Sequence, residues 1–100
     1  MPLDLATVTQ EMFDAHRGET FVMRASADAA VDVELLETEP LSTPAGAVRT
    51  SFLVRFRAAD KRVLPQRIYA LEHPVMGTME IFLVPVGADA VGMRYDAVFS

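Results

Sequence analysis

The sequence predicts a mainly β domain: a six-stranded antiparallel meander or partial barrel with one short helix near its start, spanning residues 1–100 as a single domain. Three observations predict it. Hydrophobic residues make up 51% of a 100-residue chain, enough for one core and too few residues for a second. From residue 21 onward, apolar and polar residues alternate with a period of two, the signature of half-buried strands. Clusters of turn formers then interrupt these runs at short intervals, as tight connections between antiparallel strands require.

The helix comes first. Thr9 is placed to cap it, Glu11 puts a negative charge in its first turn, and Gly18 can stop it. Val8 before the cap and Phe13 inside it are spaced as a hydrophobic staple. Met12 and Phe13 face the body of the protein, and so short a helix draws its stability from docking.

Strands follow. Phe21, Met23 and Ala25 alternate with Val22, Arg24 and Ser26; Val31, Val33 and Leu35 alternate with Asp32 and Glu34. Phe52, Val54 and Phe56 alternate with Leu53, Arg55 and Arg57. Residues 67–73, 78–86 and 93–99 supply three more, with breaks at 42–46, 60–65, 73–77 and 87–92. Pro85 has no N–H for a ladder, so it belongs at a strand end or bulge.

Two pairings are expected in detail. A hairpin of the second and third strands, with residues 41–48 as its loop, sets Val33 against Phe56 and Leu35 against Val54 on the core side. Asp32 then opposes Arg57 and Glu34 opposes Arg55 outside, which favours the register electrostatically. Among the last three strands, Val84 opposes Tyr95, Phe82 opposes Ala97 and Tyr69 opposes Phe82. Phe82, Val84, Tyr69, Tyr95 and Phe99 then share the core face.

Composition excludes several functions. Nine Lys plus Arg against fourteen Asp plus Glu give a net charge of −5, and the arginines are scattered. Neither nucleic acid nor an anionic membrane surface is expected as a partner. There is no cysteine, so disulfides, thiolate nucleophiles and Cys-ligated metals are out. The first residues lack the basic start and apolar core of a signal peptide, and no apolar run reaches the ~20 residues that span a bilayer. Cytoplasmic is the expected location.

No phosphate loop, dinucleotide fingerprint, nucleophile elbow or zinc spacing occurs. His16 and His73 are the candidates for chemistry. His73 and Glu72, being adjacent in a strand, point to opposite faces. A metal or acid–base site therefore needs His16 to arrive from the helix with a carboxylate. The plainer reading of His73-Pro74 is a turn in which the imidazole satisfies a backbone group. The carboxylates Asp28, Asp32, Glu34, Glu37 and Glu39 read as a solvated strand face with basic neighbours, not as a paired-carboxylate site. Serines 26, 42, 51 and 100 have no base partner by spacing. Tyr69 and Tyr95 read as core or rim, and the six methionines as gap-fillers. No catalytic, metal or cofactor residue is assigned.

The C-terminal half carries Tyr69-Ala-Leu-Glu-His-Pro-Val-Met-Gly77, then Ile81-Phe-Leu-Val-Pro-Val-Gly87, then Tyr95-Asp-Ala-Val-Phe-Ser100. This resembles a family of bacterial proteins of about this length known as a domain of unknown function. The passage from Met12-Phe13 to Gly18-Glu-Thr-Phe21 is similar to the family's start. The resemblance implies no reaction or cofactor. It does imply an association with phage-tail-collar-like genes, and hence an accessory or assembly role.

One surface expectation follows from the predicted strands. Opposite the core face stand Ile68, Ala70, Ile81, Leu83 and Val98, a second apolar face that water should not be left to cover. Either the N-terminal helix docks there or a protein does, and a homo-oligomer is expected because the helix is too small. The expected function is a non-enzymatic protein-interaction or assembly-accessory module whose partner is itself or another protein. The alternative is a small-molecule binder using the barrel interior.

Overall fold

The computed structural model describes residues 8–26, 29–41, 51–59 and 64–99. Helix α1 spans Gln10–Asp14. The strands are β1 (Thr20–Ser26), β2 (Ala29–Pro40), β3 (Phe52–Ala58), β4 (Arg67–His73), β5 (Gly77–Ala88) and β6 (Met93–Phe99). The six strands and the short helix are those expected from the pattern. They close fully into a barrel in the order β1-β2-β3-β6-β5-β4, every pair antiparallel. Two three-stranded meanders are thus sewn together along β3–β6 and β1–β4. Closure gives every strand a neighbour on both sides, although the β1–β4 and β5–β6 seams pair only part of their strands, and so shortens the edges that otherwise template aggregation.

The interior is filled. Phe21, Met23, Leu35, Val54, Phe56, Leu71, Met79, Leu83 and Ala97 are fully buried. Phe21 meets Phe56 edge-on with centroids 5.4 Å apart. One end is plugged by aromatic rings. Phe52 and Phe99 oppose each other in the β3–β6 ladder and stack at 4.8 Å, and Phe13 of α1 rests 5.4 Å from Phe99. Thr9 caps the helix by accepting from the Met12 N–H, and Val8 and Phe13 are both fully buried, as a staple demands. The helix therefore docks on the barrel end and not on an outer face, so it covers none of the apolar surface expected above.

Both detailed registers differ from expectation. In β2–β3, Leu35 opposes Phe56 and Glu34 opposes Arg57; a bulge then skips Leu36, so that Glu37 opposes Arg55. This is a slip of two residues, which keeps every side chain on its predicted face. Asp32 has no partner in β3 and pairs with Val22 of β1. The hairpin closes through the Leu41 N–H to the Ser51 carbonyl. Its loop lies outside the described residues, as do Asp28, Ser42, Ser100 and the Ser26 side chain.

The second difference has larger consequences. Tyr69 opposes Ile81, and Ile68 opposes Phe82; Val84 opposes Asp96, and Pro85 opposes Tyr95. This is a slip of one residue, so β5 is turned inside out. Ile81 and Leu83 line the core at 3% and 0% exposure, while Phe82 faces outward at 50%. The bulge after Pro85 is where the sequence expected it: the register skips Val86, and Gly87 takes a φ of 131°, a conformation other residues rarely adopt.

Candidate functional site

Among the described residues, two regions stand out as candidate sites of contact with another molecule, and the first contains both histidines. His73 ends β4, before the turn Pro74-Val75-Met76, and its side chain is buried against Phe21, ring centroids 4.4 Å apart. Its Nδ1 accepts from the N–H groups of Val75 and Met76, both at 3.1 Å. That leaves the hydrogen on Nε2, which donates to Glu19 Oε1 at 2.8 Å. His16, in the turn after α1, reaches the same oxygen with Nδ1 at 3.0 Å, and the two rings lie 4.6 Å apart. The helix thus delivers His16 together with a carboxylate, and the histidines are neighbours where spacing alone keeps them apart. The three-residue spacing of His16 and Glu19 could have paired those two, but the contact of Glu19 with His73 comes only with the barrel's closure.

His16, Glu19 and His73 offer donor atoms within 4.8 Å of one another, the reach of a metal site. The hydrogen bonds argue against that use. A histidine ligating through Nε2 carries its hydrogen on Nδ1 and donates it onward, but the Nδ1 of His73 faces two N–H donors. The arrangement is a brace: turn amides to His73, His73 to Glu19, His16 to Glu19. It ties the β4–β5 turn to the segment between α1 and β1. These bonds hold the Glu19 carboxyl below its usual range, His73 contributing most. The plainer reading of His73-Pro74 as a turn with a backbone-satisfying imidazole describes what is seen.

The tyrosines are also structural. Tyr69 and Tyr95 are buried, and their hydroxyls bind the chain entering β4: Tyr69 donates to the Pro65 carbonyl at 2.5 Å, and Tyr95 accepts from the Leu64 N–H at 3.1 Å. Burial raises the Tyr69 pKa.

The acidic stretch forms part of an ion-pair lattice over β2, β3 and β6. Arg55 donates from Nε and Nη2 to the two carboxylate oxygens of Asp96, at 2.8 and 3.0 Å, and from Nη1 to Glu37 at 2.8 Å. Arg57 reaches Asp89 at 3.1 Å and Glu34 at 3.5 Å. Both guanidinium pKa values are raised, chiefly by the hydrogen bonds to Asp96 and Asp89 respectively. Glu34, Glu37, Asp89 and Asp96 thus each serve an arginine, a structural use of these carboxylates.

The second region is the outer face of β4, β5 and β6 with the start of β3. Of the five residues expected there, Ile68 and Val98 are each 64% exposed and Ala70 is half-buried on the same side. Ile81 and Leu83 are not there; they point into the core and cannot meet a partner. Phe82 and Val84 take their places. Leu53, Phe82, Val84, Val86 and Val98 line a shallow groove of about 410 Å³ whose one charged member, Asp96, is already bound to Arg55. The parity of Glu80 carried the missing signal: an outward Glu80 puts Phe82 and Val84 outward as well.

No helix among the described residues is long and apolar enough to cross a membrane. No curated protein and no solved structure matches the chain. The family described as Domain of unknown function (DUF6916) matches residues 8–99. That span takes in the capped helix, all six strands and both regions above, so the chain belongs to the family of that domain of unknown function.

Proposed function

We propose that this chain is a non-enzymatic protein-interaction module that docks a protein through the outer face of β4, β5 and β6. The observation that carries the reading is the exposure of Phe82, Ile68 and Val98 on adjacent strands around an apolar groove. Water is a poor neighbour for so contiguous a patch, and such patches on folded domains mark contact surfaces. Barrel closure constrains the mode of contact. Every strand has a neighbour on both sides, so docking face-on is favoured over the addition of a strand.

A ligand in the barrel interior is the weaker reading. Barrels of about eight strands are just wide enough to hold a small molecule; this one has six, and phenylalanine, tyrosine and methionine side chains occupy its centre. The accessory or assembly setting implied by the family resemblance, beside phage-tail-collar-like genes, suits a docking module. The cysteine-free composition suits the reducing cytoplasm, where we place it.

The test is site-specific photo-crosslinking in cells that naturally make the protein, with the photoreactive residue at position 82 or, on the opposite wall, at position 32. Crosslinked protein at 82 and not at 32, competed away by added wild-type chain but not by a Phe82→Ser/Val98→Ser variant, supports the reading. Equal labelling at both positions, or equal competition by the variant, overturns it.

A further inference from the structure

The outer row of β5 runs Glu80, Phe82, Val84, Val86, and its two ends carry opposite charges. Glu80 is exposed and has no ion-pair or hydrogen-bond partner among the described residues. At the other end, Arg94 of β6 lies opposite Gly87. Its guanidinium has no carboxylate partner among the described residues, and its Nε is buried without any hydrogen bond. The guanidinium lies beside Gly87: a Cβ there would stand in ordinary contact, 3.9 Å from its Nη2. A half-buried arginine with no carboxylate partner among the described residues is costly for an isolated domain, because a desolvated donor has lost water and gained nothing. The neighbouring arginines are satisfied within the chain, Arg55 by Asp96 and Glu37 and Arg57 by Asp89 and Glu34.

Resting on the outer-face reading above, we infer that the partner is a second copy of this chain, packed face-on about a two-fold axis that passes over β5 near Val84. Such an axis lies in the plane between the two faces, perpendicular to the strand, and reverses the direction of β5. The apolar centre then meets itself. Glu80 of each copy comes over the other copy's 87–94 corner, roughly 20 Å along the strand from its own. Each copy supplies the carboxylate that the other's Arg94 lacks, twice per dimer. The other charges around this face are paired within the chain, Asp96 and Glu37 with Arg55 and Asp89 and Glu34 with Arg57, which lowers the repulsion a chain of net charge −5 meets in approaching itself here. With only about half a dozen apolar side chains on each side, the contact belongs to the small, reversible class of interfaces.

Sedimentation velocity of the purified chain, from micromolar to hundreds of micromolar, tests this with charge swaps. The wild type should form a reversible dimer. E80R brings two guanidinium groups together at each of the two rim contacts, and R94E brings two carboxylates together there. Each variant alone should dimerise roughly tenfold or more weakly. An equimolar mixture should recover wild-type association, since in the heterodimer one rim contact keeps the wild-type pair and the other holds both substitutions, again opposite in charge. If R94E does not fold, E80R against E80Q decides the matter, because reversal should weaken the dimer more than neutralisation. A wild-type chain that stays monomeric throughout, or a dimer indifferent to E80R, overturns the inference. If position 82 still crosslinks specifically to a different protein, the second-copy inference fails while the outer-face reading stands.

Discussion

His73 and Glu19 are joined by a 2.8 Å hydrogen bond from Nε2 to Oε1, and the other ring nitrogen of His73 accepts two amides from the turn that follows it. Nitrogen chemical shifts should therefore show His73 as the Nε2–H tautomer, with Nδ1 unprotonated. His73→Phe keeps a ring against Phe21 but orphans the buried Met76 amide and the part-buried Val75 amide, and should cost about 1–3 kcal/mol in urea denaturation. Because Nδ1 is committed as an acceptor, thermal melts with and without a chelator should coincide. A chelator-induced drop in Tm, or an Nδ1–H tautomer, would reopen the three-residue cluster as a metal centre.

The two faces of β5 should respond oppositely to truncation. Leu83 is fully buried, so Leu83→Ala should cost about 2–5 kcal/mol, from lost transfer energy and the cavity left behind. Phe82→Ala, outside the barrel, should change monomer stability by no more than about 0.5 kcal/mol. Denaturant midpoints of the two variants, measured below the concentration of any dimerisation, check this. The reverse ranking would mean that β5 is turned the other way.

Asp89 organises the β5–β6 connection. Its Oδ1 accepts from the N–H groups of Val91 and Gly92 at 2.8 and 2.9 Å, and its Oδ2 receives Arg57. The Gly92 and Val91 amides, and then Arg57, hold its pKa down to about 2 from an ordinary 3.8. A depressed carboxyl contributes stability that is fully present above the unfolded value and fades as pH falls through the folded one. Wild-type protein should thus lose stability between about pH 4 and pH 2 through this group, and Asp89→Asn should be less stable at neutral pH with a shallower decline across that window. Identical pH profiles for the two proteins would refute the assignment.

Gly92 packs against the β3 end so closely that a Cβ built on it would sit 1.7 Å from the Ala58 carbonyl oxygen. The obstacle is backbone, with no flexible side chain to yield. Gly92→Ala should therefore disrupt the Ala58↔Met93 end of the β3–β6 seam, detectable as faster amide exchange there and a lower Tm. Unchanged exchange would show that the loop yields instead.

Much of this architecture is decided by the sequence alone. The alternation in residues 52–58 marks β3 and its faces, because Arg55 and Arg57 cannot enter a core and Phe52, Val54 and Phe56 need one. Thr9 and Val8 set the start of α1 through backbone capping and a local apolar contact, and Pro85 marks the bulge because it has no N–H to give. Residues 81–86 carry no such information. Ile-Phe-Leu-Val-Pro-Val is apolar on both sides, so within it a one-residue slip costs nothing in local polarity; the parity of Glu80 just before it, together with closure against Tyr69, Tyr95 and the rest of the barrel, selects Ile81 and Leu83 as interior. The same closure brings Glu19 to His73, residues 54 positions apart, and leaves Glu80 and Arg94 at opposite ends of one face. Contacts between distant segments depend on which strands become neighbours, a choice made by the packing of the whole core and not by the periodicity of any one strand.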